Sequence, residues 1–253
     1  MAFLTALTFL TVLPLPASRV DENVLGRAVG YFPLVGLLLG GVLAGVAWGS
    51  ARVFPPQMTA VLILTVWLIL TGALHLDGFL DACDGLLGGH TPEDRLSIMR
   101  DERVGAFALA GGVLLLLAKY TALTVWLETA RPLPGPWPGH PLPPQLALIL
   151  PPTLARFAMS VALLAFPYAR DQGLGKVLKD HVRPRDGVFA GATALLLSLL
   201  LLRGRGFLLW MGVLGLTWGC ARWVMRRIPG LTGDVYGALC ELGETLVLWV
   251  LVV

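Results

Sequence analysis

The sequence predicts an all-α fold, a polytopic bundle of about seven transmembrane helices with a short interfacial helix at its N-terminus. Three observations carry this prediction. Only 14% of the residues are charged and 56% are hydrophobic, whereas a soluble domain is about one quarter charged. The mean hydropathy is +0.77. The apolar residues form continuous runs of about 20, which cross a bilayer as helices, rather than the alternating segments of a barrel. We therefore expect a single integral-membrane domain over residues 1–253.

The N-terminal segment FLTALTFLTVLPLP (3–16) is apolar but too short to span, and Pro14 and Pro16 interrupt it. No basic residue precedes it, which disfavours a signal peptide and favours an interfacial or half-inserted helix. The segment RPLPGPWPGHPLPP (131–144) is so rich in proline that we expect an extended loop. The seven candidate spans are 29–51, 58–80, 104–127, 146–166, 187–202, 206–222 and 234–253.

The distribution of Lys and Arg orients the chain, because cytoplasmic loops are enriched in both. If the N-terminal segment is cytoplasmic, thirteen basic residues lie on its side: Arg19, Arg27, Arg95, Arg100, Arg103, Arg170, Lys176, Lys179, Arg183, Arg185, Arg222, Arg226 and Arg227. The other side carries four: Arg52, Arg131, Arg203 and Arg205. We therefore expect the polar loops to face the cytoplasm.

Composition also narrows the function classes. The net charge of +3 is small and spread between apolar runs, so nucleic-acid binding is disfavoured. Cys83, Cys220 and Cys240 are far apart in the sequence and form no C-x-x-C pair. We expect reduced thiols, without a disulfide framework or a thiolate metal site.

An acidic stripe follows the second apolar run, in HLDGFLDACDG (75–85). Asp77, Asp81 and Asp84 recur at i, i+4 and i+7, so on a helix they share one face over about 10 Å. Like charges near lipid repel and are costly, and a divalent cation offsets both effects. Mg²⁺ is the predicted ion, because it takes carboxylate oxygens together with substrate phosphates. The alternative is an acidic helix end facing water; for His75 a packing role is the alternative to a ligand role.

A second acidic stripe lies in the last span, TGDVYGALCELGETLVLWVLVV (232–253). Asp234, Glu241 and Glu244 fall on one helical face at these spacings. Acids inside an apolar helix are functional candidates by default, with a structural role as the alternative. Two acidic stripes at the same depth predict one polar cavity lined from both sides.

Two basic residues, Lys119 and Arg156, fall near the middle of predicted spans. Snorkelling explains charges near the ends of spans better than charges this deep. Both interpretations therefore stay open: the two residues neutralise the acidic stripes, or they bind an anionic substrate.

The loop TPEDRLSIMRDERVG (91–105) opens with a Thr91 helix cap and places Arg100, Asp101 and Arg103 before the third span. The guanidinium fork of arginine binds two phosphate oxygens at once. Spacing alone does not separate a phosphate site from a cluster of charges that orients the chain.

The loop YARDQGLGKVLKDHVRPRD (168–186) is strongly basic. Its GLGK lacks the full G-x-x-x-x-G-K-[ST] pattern, and Val177 follows the lysine, which rules out a Walker A motif. The loop stays a candidate for phosphate contacts, through Arg170 and Lys176. Together, the motifs predict metal-assisted phosphoryl or nucleotidyl transfer at the cytoplasmic face.

Four separated motifs, HLDGFLDACDGLLGG, SIMRDERVG, YARDQGLG and LTGDVYGALCELGE, resemble the cobalamin synthase family in order and spacing. The resemblance covers nearly the whole chain, including RAVGYFPLVGLLLG (27–40). It implies a bacterial inner-membrane enzyme of late vitamin B12 assembly. Such an enzyme joins α-ribazole or its 5′-phosphate to adenosylcobinamide-GDP, releases GMP and requires Mg²⁺.

The resemblance also implies roles for individual residues. It makes Asp77, Asp81 and Asp84 the metal-binding acids. We expect the second stripe to supply the other acidic half of the site, and Asp101 or an acid of that stripe to accept the hydroxyl proton. The expected phosphate contacts are Arg100, Arg103, Arg170 and Lys176; the further expected substrate contacts are His75, Lys119, Arg156, Asp234, Glu241 and Glu244.

Two other functions compete with this one. Asp81-x-x-Asp84-Gly85 looks like the opening of the CDP-alcohol phosphotransferase signature D-x-x-D-G-x-x-A-R, but LLGG follows Gly85 and the downstream G-x-x-x-D-x-x-x-D is missing. A transporter would also place acids and bases within its spans, but here the acids cluster at one face and no inverted repeat is found. Membrane lipid is an expected partner and nucleic acid is not. A homo-oligomer and contacts with other enzymes of the corrinoid pathway both stay open.

Overall fold

The structure is a computed structural model, and it describes residues 1–13, 21–133 and 141–253. Pro14, Pro16, Arg19 and residues 134–140 of the proline-rich loop lie outside the described residues. The described residues form α-helices and short 3-10 turns without a β-strand, which confirms the all-α prediction. The helices are α1 Ala2–Leu10, α2 Glu22–Ala28, α3 Phe32–Ser50, α4 Pro56–Thr71, α5 Leu74–Gly88, α6 Pro92–Ile98, α7 Ala106–Thr129, α8 Leu150–Ala165, α9 Leu174–His181, α10 Pro184–Leu202, α11 Gly204–Met225 and α12 Gly233–Val252.

The predicted number of spans is confirmed. Six helical stretches within the described residues are long and apolar enough to cross a membrane, and the number is seven if the bent pair α4–α5 counts as one span. Two of the six include a 3-10 turn, Val29–Tyr31 before α3 and Pro144–Ile149 before α8. The six stretches are Glu22–Ser50, Ala106–Thr129, Pro144–Ala165, Pro184–Leu202, Gly204–Met225 and Gly233–Val252.

The second predicted span, 58–80, differs from the structure because its helix breaks. Gly72 and Ala73 adopt left-handed backbone angles, with φ of 58° and 55°. Their N–H groups donate to the carbonyls of Ile69 and Leu68, which closes α4 at its C-terminal end. The chain then turns by 90° into α5. The three aspartates of the first stripe therefore lie on a separate helix and not at the end of a straight span.

Helix α8 is the centre of the bundle. Of its most apolar 18-residue window, 83% is buried, and it packs against α3, α10, α11 and α12. The approach of α3 is close enough to require glycine: a Cβ at Gly36 would lie 2.4 Å from the carbonyl oxygen of Pro152. Helix α1 packs on α2 and α3, where Phe9 stacks on Phe32 at 5.9 Å between ring centroids.

The helix order gives the bundle two ends. One end, here the aspartate face, carries α5, α6, α9 and the connections 99–105, 166–173 and 226–232. The other end, here the opposite face, carries the connection 51–55, the described residues 130–133 and 141–143, and the turn at Arg203. A hydrogen bond of 3.4 Å from Gln57 to Glu128 joins α4 to the end of α7 at the opposite face.

Candidate active site

Helices α5 and α12 bring the first acidic stripe beside the start of the second. Glycines make this close packing possible: a Cβ at Gly78 would lie 3.0 Å from Cα of Asp234, and one at Gly237 would lie 2.9 Å from the carbonyl oxygen of His75. Asp77 is exposed and Asp81 half-buried. The charges of Asp77 and Asp234 both act on Asp81, so three carboxylates from two helices concentrate negative charge here.

Asp84, the last aspartate of the stripe, is nearly buried and has a different environment. Its Oδ2 accepts a hydrogen bond of 2.6 Å from the N–H of Gly105, and its Oδ1 accepts one of 2.9 Å from the N–H of Ala108. These donors belong to the first turn of α7, whose positive dipole end favours a carboxylate. Asp84 thus caps α7 from a neighbouring helix and fixes α5 against it.

Arg170 lies opposite the carboxylates. It forms an ion pair of 2.8 Å with Asp234, whose carboxylate also accepts a hydrogen bond of 3.1 Å from Thr232. A short bridge between Tyr168 and Leu231 holds the loop that carries Arg170. The buried Nε of Arg170 has no hydrogen-bond partner among the described residues. The guanidinium therefore retains a donor for a further acceptor.

Two cavities meet beside the carboxylates. The larger has a volume of about 630 Å³ and the smaller about 260 Å³. Asp77 and Arg100 line both cavities. Asp81 and Asp84 line the smaller one together with the 99–104 loop. The larger one combines a charged side, with Arg170 and Asp234, and an apolar side formed by Phe9, Phe32, Met159, Leu163, Leu174 and Leu178.

The loop between α6 and α7 supplies the predicted arginines. Arg103 holds Asp101 through two hydrogen bonds of 2.9 and 2.6 Å. These side-chain bonds, with a backbone bond from the same arginine, lower the pKa of Asp101 to about 2. Asp101 is therefore a carboxylate of low basicity at neutral pH. Arg100 is exposed and forms no ion pair with any residue that the structure describes.

The structure divides the second acidic stripe. Asp234 joins the aspartates of α5, whereas Glu241 and Glu244 lie deeper and contact buried cations. Lys119 lies 2.5 Å from each glutamate, and Arg156 pairs with Glu244. None of these four side chains lines either cavity. We expected both stripes to line one cavity along their whole length. Of the second stripe only Asp234 lines a cavity, because Glu241 and Glu244 are neutralised by cations within the bundle.

His75 connects the buried charges to the cavity. It is 2% exposed, its Nδ1 lies 3.3 Å from Nη2 of Arg156, and the residue contributes to the lining of the larger cavity. Since a guanidinium only donates, Nδ1 accepts and the proton of a neutral ring sits on Nε2. Lys176, in contrast, lies at the surface, 2.6 Å from Asp180 one helical turn later, and outside the cavity lining.

Sequence reasoning missed two tyrosines in the larger cavity. Tyr168 and Tyr236 both line it and stack with 6.1 Å between ring centroids. The hydroxyl of Tyr236 is buried and has no hydrogen-bond partner among the described residues. Both residues fall inside the motifs YARDQGLG and LTGDVYG. Their place in these motifs was the available signal, but an aromatic residue in an apolar chain is more often read as core.

The number of free carboxylates limits how a metal ion could bind. Within the described ranges, no three His, Cys, Asp or Glu side chains group closely enough to hold a metal ion by themselves. Asp84 is engaged with α7 and Asp234 with Arg170, which leaves Asp77 and Asp81 as the available oxygen ligands. Mg²⁺ often takes only one or two carboxylates and completes its shell with substrate phosphates and water. The residues fit a cation that binds together with a phosphate substrate.

Comparison with known proteins agrees with this geometry. A family model described as Cobalamin-5-phosphate synthase matches residues 2–252. Proteins named adenosylcobinamide-GDP ribazoletransferase are similar over nearly the whole chain. The relative from Pseudomonas fluorescens is 41% identical, covering 98% of this chain and 97% of its own length. The one from Desulfitobacterium hafniense is 40% identical, with 96% and 93% covered. No solved structure matches the chain. The protein belongs to the cobalamin-5-phosphate synthase family.

Proposed function

We propose that the protein is an adenosylcobinamide-GDP ribazoletransferase that completes the lower ligand of cobalamin. A hydroxyl of α-ribazole, or of its 5′-phosphate, attacks the phosphorus attached to the corrinoid arm of adenosylcobinamide-GDP. A new P–O bond forms, the anhydride bond between the two phosphorus atoms breaks, and GMP leaves. The hydroxyl proton passes to a carboxylate or to water. The names of the relatives support this choice of substrates.

The observation that carries the proposal is the meeting of the two cavities at Asp77 and Arg100. A diphosphate placed at this junction would have carboxylates on one side and the Arg100 and Arg170 guanidiniums on the other. The apolar side of the larger cavity, with the stacked tyrosines, suits the flat aromatic base of ribazole. An activated corrinoid is too large for either cavity, so its ring would lie outside and only its arm would enter.

We assign Mg²⁺ to Asp77 and Asp81, jointly with the diphosphate. The bound ion would neutralise the charge that develops on the leaving phosphate. Asp84 orients α5 through its hydrogen bonds to α7 and thereby positions Asp81. Arg100 and Arg170 contact phosphate oxygens, and Arg103 contacts them through Nη1, the group that its hydrogen bonds to Asp101 do not use. Because Arg103 makes Asp101 a weak base, we assign the proton to another carboxylate of the two cavities.

The buried residues Lys119, Arg156, Glu241 and Glu244 act on the site indirectly. They neutralise one another between α7, α8 and α12 and hold His75 beside the cavity. We infer positioning roles for them. Lys176 stands at the surface and would meet a substrate only at the rim.

The proposed location is the bacterial inner membrane, with the aspartate face toward the cytoplasm. The distribution of Lys and Arg supports this orientation, because basic residues are more numerous at the aspartate face. Helices α6 and α9 and the connections 99–105, 166–173 and 226–232 carry eight there, against four at the opposite face. Nucleotide-activated substrates are cytoplasmic, which agrees with an active site on that side.

A substrate exchange tests the proposal against its alternatives. The detergent-purified protein is supplied with Mg²⁺, α-ribazole 5′-phosphate and either GDP-cobinamide or CDP-diacylglycerol, and nucleotide release is followed. We expect GMP from GDP-cobinamide, a joined corrinoid product, and no CMP. Turnover of CDP-diacylglycerol alone would identify a phospholipid synthase. Uptake of corrinoid into proteoliposomes without chemical conversion would identify a transporter.

A further inference from the structure

A large cavity lies at the opposite face, away from the aspartates. Its volume is about 730 Å³. It opens where α7 and α12 end and where α10 turns into α11. Its walls include the apolar side chains of Trp126, Leu133 and Val250. The proposed transfer reaction makes no use of this cavity.

The cavity is lined by positively charged side chains, although this face carries few of them. Among the described residues, four Lys or Arg belong to the opposite face, and three of them, Arg131, Arg203 and Arg205, line the cavity. None of the lining side chains is acidic. Val253 also lines the cavity, and a terminal carboxylate there would offset one of the three charges. Arg131 and Arg205 form no ion pair with any residue in the described ranges. An excess of positive charge is therefore left for an anion.

The depth of the cavity identifies the kind of anion. Helix α7 has 24 residues, about 36 Å at 1.5 Å per residue, which exceeds the roughly 30 Å of a hydrocarbon core. Its C-terminal end at Thr129, next to Arg131, therefore reaches the level of the lipid headgroups. A ligand here must satisfy guanidinium groups at the rim and apolar side chains below them.

We propose that this cavity binds the headgroup of an anionic phospholipid. The phosphate would accept hydrogen bonds from the arginine forks, and the glycerol and first acyl carbons would lie against the apolar wall. Basic pockets between membrane helices recognise anionic headgroups in this way at the cytoplasmic side, and the same contacts would serve at the opposite face. A soluble phosphate would satisfy the arginines but leave the apolar wall without a partner, which favours a lipid.

Native mass spectrometry of the purified full-length protein tests the proposal. Lipid adducts are measured at graded concentrations of phosphatidylglycerol and phosphatidylcholine, with sn-glycerol 3-phosphate as a soluble competitor. We expect the wild-type protein to prefer phosphatidylglycerol at least tenfold, and glycerol 3-phosphate not to displace it at equal concentration. Equal binding of the two lipids would overturn the proposal. Displacement by glycerol 3-phosphate would show a site for free anions instead.

Arginine variants locate the site. The double variant R131Q/R205Q should weaken phosphatidylglycerol binding about 25-fold, because one Lys or Arg at an anionic lipid surface strengthens binding about fivefold. The matched control is R52Q, on the same face but outside the cavity, where Arg52 lies over the Trp48 ring; it should bind like the wild type. An equal loss in both variants would place the effect in the general surface charge. The variant R131K/R205K, which keeps the charge but not the forks, should retain a weaker preference even if the glutamine variant fails to fold.

Discussion

The carboxylate of Glu244 is shared between two buried cations, and its replacement by glutamine should destabilise the protein strongly. One oxygen lies 2.5 Å from the Lys119 ammonium, and the other accepts a hydrogen bond from Arg156. The three side chains are 1%, 5% and 0% exposed, in the order Glu244, Lys119 and Arg156. Glutamine keeps the shape of the side chain but removes its charge. The variant would leave two buried cations facing Glu241 alone.

The expected size of the loss follows from the number of contacts. Breaking a buried ion pair by removing one partner costs about 3–5 kcal/mol. Unfolded membrane helices stay in lipid and find other polar partners, which lowers such values. For Glu244, with two ionic contacts, we expect about 3 kcal/mol, at the lower end of that range. Glu241 contacts Lys119 alone, so Glu241→Gln should cost about half as much.

Unfolding in bicelles by titration with dodecyl sulfate, followed by circular dichroism, measures these differences. The set comprises the wild type, E241Q, E244Q, R156M and the double variant R156M/E244Q. Adding R156M should recover part of the loss of E244Q, because it removes the cation left without a partner. The reasoning is refuted if E244Q unfolds like the wild type, or if the losses of R156M and E244Q simply add.

Three further substitutions test the packing and the charges around the site. Gly237→Ala adds a Cβ 2.9 Å from the His75 carbonyl oxygen, so it should cost about 1–3 kcal/mol and slow turnover. The control is Gly45→Ala, at a position with open space for the added Cβ; it should change neither the stability nor the turnover. Asp84→Ala removes both acceptors at the start of α7 and should lower the free energy of unfolding by about 1–2 kcal/mol; unchanged stability would show that the cap is not used. Asp101→Asn should slow turnover less than tenfold at neutral pH. The reason is that Arg103 holds the pKa of Asp101 at about 2, so the carboxylate stays ionised and weakly basic. A hundredfold loss would identify Asp101 as the base.

Hydropathy was sufficient to predict the membrane helices, because long apolar runs satisfy their backbone polar groups only as helices. It could not predict the break at Gly72–Ala73. The sequence LTGALHL stays apolar across the break, and glycine is common inside straight membrane helices. The 90° bend depends on where α5 packs, against α7 and α12. Such contacts between distant segments have no local signal.

Helical spacing predicted which acids share a face, but not what each acid meets. Asp234 and Glu244 lie on the same face of α12, yet Asp234 contacts Arg170 and Glu244 contacts Lys119 and Arg156. The partners come from other helices, whose rotation is set by packing. The role of Asp84 as a cap of α7 was hidden for the same reason, since its donors are 21 and 24 residues away in sequence.

We propose that Asp77 and Asp81, together with Mg²⁺, hold a diphosphate whose cleavage releases GMP. The most direct measurement is GMP release from GDP-cobinamide and α-ribazole 5′-phosphate by the wild type and Asp81→Asn, each with Mg²⁺ and with EDTA. We expect release by the wild type with Mg²⁺ only. We expect none by Asp81→Asn, although that variant should insert and unfold like the wild type. Near-normal turnover by Asp81→Asn, or release by the wild type in EDTA, would contradict it.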